Sequence, residues 1–482
     1  MSLDEQSRIG RTWRSSSIAT ALLRVDELLA RNPVGAKVKS SLRGSRLYRW
    51  ATASPEGFVP LDSYRARLVP ATVRAAATSS TTFTPILERR PLVDLLMMAL
   101  IVSLPLGPFE VGMFSLPDVL VLVTVVVLGL DALRRGALQR TTASIGAVVA
   151  ITALLGWMAG SIAATGASVR ELTQPIGHWL LLCAVVLYVD NHRDAERVLL
   201  AGAVAAAGIA VLTLLATVVQ LPMEPRTLRP RTFGPIRMPV GRVYPLPLSF
   251  GILGMFLLYP APYLAVRGWQ ERSRIALGGA GAVVLAVVIT QSRSTYLALA
   301  AAVGILALAG VCWTLVHGPT HWRRRMGFGA LVGGTVSLPI ALLGARTLIR
   351  AGRRTFVARL GQVREGVLLM LDRPLFGTGP GQFREVVEIR HVIHTAWVRL
   401  GAESGVPALA LFLVAVYVGV RQLVRTATQT ERATLAIVLL AGGTAVAIEA
   451  SFQGSFGRPT WVVLGLAVTA PWRQLEESNQ TR

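Results

Sequence analysis

Long apolar blocks separated by short polar stretches make up most of the chain after about residue 90. Several blocks reach the roughly 20 residues that an α-helix needs to cross the hydrocarbon core of a bilayer. This pattern predicts an all-α integral membrane protein with about twelve transmembrane helices. The predicted segments are 91–108, 116–133, 142–164, 175–189, 197–219, 244–266, 275–291, 294–316, 327–344, 404–421, 432–450 and 458–471.

Composition supports this class of protein and changes the interpretation of the charge. The chain is 52% hydrophobic and only 16% charged, which excludes an ordinary soluble domain. A net charge of +23 would suggest nucleic acid, but the basic residues lie in loops between apolar blocks. Membrane orientation and an anionic ligand explain them better than nucleic acid does. Cys183 and Cys312 lie inside apolar blocks and indicate neither a disulfide nor a metal site.

The chain divides into three predicted regions. Residues 1–90 are basic and lack a long apolar run, which predicts a cytoplasmic, partly disordered N-terminal region. Residues 91–471 form the transmembrane domain, and 472–482 form a cytoplasmic tail. Arginines accumulate in the loops after the even-numbered segments, which the positive-inside rule assigns to the cytoplasm. We therefore predict a multi-pass protein of the cytoplasmic (inner or cell) membrane with both termini inside.

Two loops break the orientation rule, because they should face outward and yet are rich in arginine. The outer loop 345–403, between the ninth and tenth segments, holds ten arginines against five acidic residues. Long loops are partly exempt from the rule, and solvated loop charge is the alternative explanation. Arginine where orientation gains nothing predicts an anionic ligand on the outer face. The arginines after the fifth segment are Arg226, Arg229, Arg231, Arg237 and Arg242.

Two arginines are singled out by their position. Arginine suits phosphate because its planar guanidinium presents several donors and stays charged. Arg242 directly precedes the sixth segment, so it lies near the membrane surface. Arg293 lies between two apolar blocks with almost no loop, where a charge is costly unless it is paired or faces a polar cavity. The alternative for Arg293 is that its side chain snorkels to the headgroups.

The long outer loop contains a predicted helix with an apolar stripe. Arginine and glutamate occupy other positions on the same turns, so the helix is expected to rest on the membrane or on the bundle. The stripe consists of Phe356, Leu360, Val363, Val367 and Leu371.

The second half of the same loop carries the candidate chemistry. Residues 373–383 hold three glycines and two prolines, which predicts a tight, fixed turn. Without a Walker-type lysine, this turn is only weak evidence of phosphate binding. His394 is the candidate for proton transfer near neutral pH, with His391 as a competing choice.

Taken together, these motifs resemble the O-antigen ligase and O-antigen polymerase superfamily. They are the Ser-Arg-Ser at 292–294, the turn at 373–383 and the run from His394 to Gly405. The resemblance covers roughly residues 90–471. Twelve crossings, with a large outer loop between the ninth and tenth, are also similar to the architecture of that family.

The resemblance implies transfer of a glycan from a polyprenyl (undecaprenyl) pyrophosphate carrier to an acceptor hydroxyl. It implies an inverting reaction on the outer face, without nucleotide sugar, metal or cofactor. By resemblance, Arg293, His394 and Glu403 are catalytic. Arg242 and Arg237 join Arg293 in binding the pyrophosphate. Glu403 would orient the imidazole of His394 or pair with an arginine, and helix capping is the alternative.

Several alternatives stay open at this stage. The acceptor is a glycan, a lipid or a protein, and the enzyme is a ligase or a polymerase of lipid-linked repeat units. A twelve-helix transporter is the rival from another class, but it predicts inverted repeats and midplane charges, and neither is visible. Four polar residues near the outer helix ends either line the same cavity or simply reach water. They are Glu171, Gln174, His178 and Glu449.

Overall fold

The computed structural model describes most of the predicted transmembrane domain. All described residues belong to the second of the two units into which the chain divides, Met1–Ala76 and Ala77–Arg482. Apart from Arg90, the predicted N-terminal region lies outside the described residues, as do the ninth segment, 327–344, and the C-terminal tail. The described residues are 90–106, 110–111, 114–134, 142–218, 231–233, 236–238, 250–290, 292–317, 357, 359–386, 395–427 and 433–470.

Helices account for every long element in the described part of the chain. Two antiparallel hairpins are the exceptions to the all-α prediction, and they are short: β1 (Glu110–Val111) pairs with β2 (Phe114–Ser115), and β3 (Arg231–Phe233) pairs with β4 (Ile236–Met238). The helices are α1 Arg90–Ser103, α2 Leu116–Arg134, α3 Thr142–Thr165, α4 Thr173–Tyr188, α5 His192–Val218, α6 Phe250–Leu258, α7 Ala261–Gln270, α8 Arg274–Thr290, α9 Arg293–His317, α10 359–372, α11 Phe383–Val386, α12 Ala396–Ala427, α13 Ala433–Ala450 and α14 Arg458–Val468.

The apolar segments predicted from the sequence overlap these helices, apart from the ninth, which is not described. Within the described residues, five helices are long and apolar enough to cross a membrane, which identifies a membrane protein. The total of twelve crossings stays a prediction. The five candidate spans are Ser144–Thr165, His192–Leu215, Ser294–Val311, Ala396–Ala427 and Ala433–Ala450.

α13 is the central helix of the described bundle. It contacts α6, α7, α9, α12 and α14, and 61% of its candidate span is buried, against 22% for the span in α9. Its interior is rich in small residues, among them Ala441, Gly442 and Ala445. Small residues let helix backbones approach closely, which is the main way helices associate in a lipid environment.

The sixth apolar segment, predicted as one block over 244–266, is broken into α6 and α7. Pro260 and Pro262 lack an N–H, so they cannot donate to the carbonyls one turn earlier. α13 covers the break, because Gly442 lies directly against the backbone carbonyl of Tyr259. A side chain at position 442 would collide with that carbonyl, so the glycine is required for the close approach.

The tenth apolar segment, predicted at 404–421, belongs to the longer helix α12, Ala396–Ala427. α12 is interrupted at Gly405, whose φ of 85° and ψ of 167° are not helical, and Pro407 follows. Hydropathy alone placed the first turns in a loop because they contain Arg399 and Glu403. These two side chains form an ion pair along the helix, so a polar stretch becomes an ordered part of it.

The helix predicted in the outer loop is present as α10. Its apolar stripe faces away from the other described residues: Leu360 is 51% exposed and Leu371 is 71% exposed, whereas Gln362 is buried. The exposed members of the stripe, Leu360, Val367 and Leu371, therefore do not pack on the described part of the bundle. An apolar face turned outward is typical of a helix that lies against lipid.

Candidate active site

Polar side chains gather at one end of the bundle, where α3 and α13 end and α4, α9, α12 and α14 begin. The turn at 373–382 and the α13–α14 loop at 451–457 lie among these helix ends. The distribution of loop arginines predicts that this end faces outward. Sequence segments up to about 340 residues apart therefore contribute to one site.

The glycine-rich turn is bonded to the break in α12. Val406 cannot continue the helix, and its N–H donates to the carbonyl of Pro374 at 2.8 Å. Pro407 has no N–H to offer to Glu403. The N–H groups of Thr378 and Gly379 instead donate to the carbonyls of Ala402, at 3.0 Å, and Glu403, at 2.9 Å. The turn thus satisfies backbone groups that the break leaves open, and these two N–H groups are not available to a phosphate.

Helix α3 fixes the turn from the other side. The indole N–H of Trp157 donates to the carbonyls of Leu375, at 3.0 Å, and Ser404, at 3.1 Å. One turn later, the hydroxyl of Ser161 donates to the carbonyl of Phe376 at 2.5 Å. The rings of Trp157 and Phe376 stack with their centroids 5.2 Å apart. Because Trp157 bonds both the turn and α12, the three elements form one rigid unit.

Glu403 is held inside this unit by Arg399. The Arg399 Nε donates to the carboxylate of Glu403 at 2.9 Å, and its Nη1 donates to the carbonyl of Gly454 at 3.0 Å. The backbone N–H of Gly381 stabilises the same carboxylate. Glu403 is 7% exposed, so its charge depends on these partners. Of the alternatives left open for Glu403, the structure shows a pairing with an arginine, Arg399, and the catalytic role of Glu403 stays a prediction.

A second buried carboxylate, Glu449, lies near the end of α13. It is fully buried and faces the hydroxyls of Ser294 and Thr295 in the first turn of α9. Gly254 on α6 lies so close that an added Cβ would sit 2.7 Å from the carboxylate. Arg293 begins α9 one residue before Ser294. Glu449 therefore lies beside the turn that carries the predicted pyrophosphate arginine.

An ion pair ties the beginnings of α2 and α14 together. Arg458 donates through Nη2 to the carboxylate of Asp118 at 2.8 Å and to the hydroxyl of Ser115 at 3.0 Å. The same guanidinium donates through Nη1 to the carbonyl of Leu104 at 3.4 Å. The balanced pair lies beside His178, whose ring stacks on that of Trp461 with centroids 5.4 Å apart.

A mixed polar and apolar cavity lies between α3, α4, α12 and α14. Three of the four polar residues noted near helix ends, Glu171, Gln174 and His178, line it together with Arg399 and Glu403. Glu449 does not line it. The apolar wall is formed by Ile151, Leu154, Leu155, Met158, Phe412, Phe456 and Trp461.

Of the five site residues predicted from the sequence, the structure describes the side chain of Glu403. Arg293 is placed by its backbone as the first residue of α9, and Arg237 lies in β4; their side chains lie outside the described residues, as do His394 and Arg242 entirely. Their roles stay predictions. Within the described residues, no group of three or more His, Cys, Asp or Glu side chains is arranged to hold a metal.

Sequence reasoning missed two residues that build the site. Arg399 was counted only among the loop arginines, although its spacing of four residues from Glu403 is typical of an ion pair on a helix. Trp461 was read as part of an apolar segment, and nothing in its local sequence signals that it stacks on His178.

The apolar helices and the charged cluster at one end of their bundle define a polytopic membrane protein with a candidate site. Within this class, residues 278–413 match the family model described as O-antigen ligase. The matched stretch runs from α8 into α12 and contains Arg293, the glycine-rich turn, His394 and Glu403. The resemblance to the O-antigen ligase superfamily is confirmed over this stretch. No curated protein matches the chain.

Proposed function

We propose that this protein is a membrane glycosyltransferase of the O-antigen ligase type. It transfers a glycan from a polyprenyl pyrophosphate carrier to a hydroxyl of a glycan, lipid or protein acceptor. The observation that carries the proposal is the family match, because it covers every motif that the sequence singled out in the outer loop. The buried pair of Arg399 and Glu403, fixed by the motif turn, supports it from the described residues.

The proposed reaction is a single displacement at the anomeric carbon. The acceptor oxygen forms a bond to that carbon as the bond to the pyrophosphate oxygen breaks, so the configuration inverts. Polyprenyl pyrophosphate leaves with the bonding electron pair. The proton of the acceptor hydroxyl passes to His394, a transfer that typically contributes about 10²- to 10⁴-fold to the rate.

The leaving group requires stabilisation of its developing negative charge. Arg293 and Arg242, with Arg237, supply fixed positive charge to the pyrophosphate in the way that an oxyanion hole does. Glu449 supports this proposal for Arg293, because its buried carboxylate lies close to Ser294 and Thr295 in the first turn of α9. A fixed guanidinium stabilises developing charge better than a mobile one, because it does not have to reorient during the reaction.

Glu403 completes the proposed site. It lies nine residues after His394, in the same helix that begins at Ala396. Its hydrogen bonds from Arg399 and Gly381 fix the carboxylate at the edge of the cavity. We assign to it the orientation of the acceptor hydroxyl or of the imidazole. The proposed setting is the outer face of a bacterial cytoplasmic membrane, with both termini inside.

The proposal is tested by the glycan inventory of a deletion strain. Wild type, Arg293→Ala, His394→Ala and the control His391→Ala are expressed in it, and carrier-linked intermediates are sized by mass spectrometry. We expect Arg293→Ala and His394→Ala to abolish transfer and His391→Ala to restore it. Arg274→Ala, an exposed arginine at the opposite end of α8, is the matched control for Arg293→Ala.

The same inventory separates the two activities of the superfamily. Full-length glycan retained on the carrier indicates a ligase, whereas single repeat units on the carrier indicate a polymerase. A normal glycan inventory in both Arg293→Ala and His394→Ala contradicts the proposed active site. It would favour the alternative that the protein is a transporter.

A further inference from the structure

The turn between α7 and α8, residues 271–273, lies at the end of the bundle opposite the candidate active site. The side chains that flank it are the two most exposed large apolar residues in the described part of the chain. Trp269, in the last turn of α7, is 82% exposed, and Ile275, the second residue of α8, is 89% exposed. Neither side chain packs on the described bundle, and the proposed glycan transfer has no use for them.

The backbone of this turn is strained at Arg272. Its φ of 53° lies in the left-handed region, and among the described residues no other non-glycine residue has a positive φ. The turn closes α7, because the N–H of Ser273 donates to the carbonyl of Gly268 at 3.1 Å. Glycine is the usual residue at this position after a helix, since it has no Cβ to strain the turn. An arginine where glycine would be more stable indicates a use for its side chain.

The turn carries positive charge that the described side chains do not neutralise. The Nε of Arg267 donates to both carboxylate oxygens of Glu271, at 3.0 and 2.9 Å, so this pair is neutral. Arg272 and Arg274 follow in the exposed turn, and neither forms an ion pair with another described residue. Exposed guanidinium groups in this arrangement favour an anionic ligand, above all a phosphate.

The depth of the turn in the membrane indicates that this ligand is a lipid. α8 continues from Ile275 as an apolar helix, and Leu277, Leu285 and Val288 along it are also exposed. An apolar surface of this length is typical of a helix in contact with hydrocarbon. The hydrocarbon therefore begins near Ile275, and Arg272 lies at the depth of the headgroups, where tryptophan and arginine are both favoured.

The charge of the turn selects the kind of lipid. Loop arginines predict that this end of the bundle faces the cytoplasm, where anionic phospholipids attract basic side chains. A zwitterionic phospholipid has no net charge to complement the arginines. A soluble anion would complement them but would leave Trp269 and Ile275 uncovered.

We propose that the α7–α8 turn is a binding site for an anionic phospholipid of the inner leaflet. The guanidinium of Arg272 bonds the phosphate, while Trp269 and Ile275 pack against the glycerol and the first methylenes of the acyl chains. The proposal goes beyond the proposed function and does not depend on it, because it requires only a membrane protein with this turn on the cytoplasmic side.

Native mass spectrometry of the purified full-length protein, released from micelles that contain one phospholipid at a time, tests the proposal. We expect the wild type to bind phosphatidylglycerol about tenfold more tightly than phosphatidylcholine, and Arg272→Gly to lose this preference with its charge-assisted hydrogen bond. Without lipid, Arg272→Gly should unfold at the temperature of the wild type or above it, since glycine relieves the strain of the turn. Loss of binding then cannot result from misfolding.

Arg193→Ala is the matched control, because it also removes one exposed positive charge at the same end of the bundle, next to His192. It should change the affinity for phosphatidylglycerol by about twofold at most, as expected for the general attraction of a charged surface. Equal losses in Arg193→Ala and Arg272→Gly would show that general attraction alone, and the proposal would be wrong. It would also be wrong if Arg272→Gly kept the preference of the wild type.

Photocrosslinking in intact cells distinguishes a lipid from a protein at this turn. With benzoylphenylalanine in place of Ile275, the expected product is a single chain that carries a phospholipid adduct. A product that contains a second protein chain would show that the turn docks on a protein, and it would overturn the proposal.

Discussion

At the scale of single residues, the chain offers two ion pairs with the same spacing and different surroundings. Arg399–Glu403 and Arg267–Glu271 each join residues four apart on a helix at 2.9 Å. In the first pair the side chains are 28% and 9% exposed, and in the second 36% and 54%. Water screens the second pair, so only the first is expected to matter for the protein.

We predict that Arg399→Lys lowers glycan transfer at least about tenfold, because an ammonium cannot bond Glu403 and the carbonyl of Gly454 with the geometry of a guanidinium. Arg267→Lys is the matched control. It should change the activation free energy of transfer and the free energy of unfolding by roughly 0–1 kcal/mol at most. The measurement is the rate of glycan transfer in the complemented deletion strain. Equal effects of the two substitutions would contradict a special role for the buried pair.

A second residue-scale prediction concerns the glycine-rich turn. Gly377 has a φ of +64°, and a Cβ there would lie 2.5 Å from the carbonyl oxygen of Ala402. Gly377→Ala should therefore destabilise the protein by about 2 kcal/mol or more, from backbone strain together with displacement of the turn. Gly361→Ala in α10, where nothing lies within 4 Å of the added Cβ, is the control.

The control substitution should be neutral or slightly stabilising, because alanine favours a helix over glycine by up to about 1 kcal/mol. Thermal unfolding of the two variants in detergent, followed by tryptophan fluorescence, provides the comparison. If Gly377→Ala unfolds at the same temperature as Gly361→Ala, the close approach of the turn to α12 is wrong.

At the scale of elements, the site depends on the bonding of α3, the turn and α12 to one another. The break in α12 opens backbone groups inside the bundle, where leaving them unpaired is costly. The turn and the indole of Trp157 form hydrogen bonds with these backbone groups. The first role of the motif is therefore to stabilise the break in the helix. Positioning of Glu403 and Arg399 follows from that arrangement.

We predict that Trp157→Phe weakens this unit without removing the aromatic contact with Phe376. Loss of its two hydrogen bonds, worth about 1 kcal/mol in total, should speed exchange of the amides of Thr378 and Gly379 roughly fivefold. Hydrogen exchange with mass spectrometry on a peptide covering 373–382 measures the rate. Trp269→Phe, at a residue 82% exposed, is the control and should leave that peptide unchanged.

At the scale of the whole molecule, the orientation in the membrane decides whether the charged cluster meets a substrate on the outer face. Chain order alone places the starts of α4, α9, α12 and α14 at the same end of the bundle. Arginine counts predict that this end is outside, because the other end carries most of the short basic loops.

Cysteine labelling tests this orientation in intact cells. In a background with Cys183 and Cys312 replaced by alanine, we predict that Val169→Cys, at a position 70% exposed, reacts with a membrane-impermeant thiol reagent. Trp269→Cys, near the opposite end, should react only after permeabilisation. The reverse pattern would place the charged cluster in the cytoplasm and exclude a carrier on the outer leaflet as its substrate.

The sequence by itself determined the class of protein, the approximate positions of the apolar helices in the described part of the chain and the identity of the motif residues. Apolar length and arginine placement are local quantities, and the energy of transferring a helix into lipid depends on them almost directly. The tertiary structure decided what the motifs do. It alone shows that Trp157, more than 200 residues away, closes the turn onto α12, and that Arg399 is the partner of Glu403. Such pairings are set by packing between helices, which hydropathy does not encode.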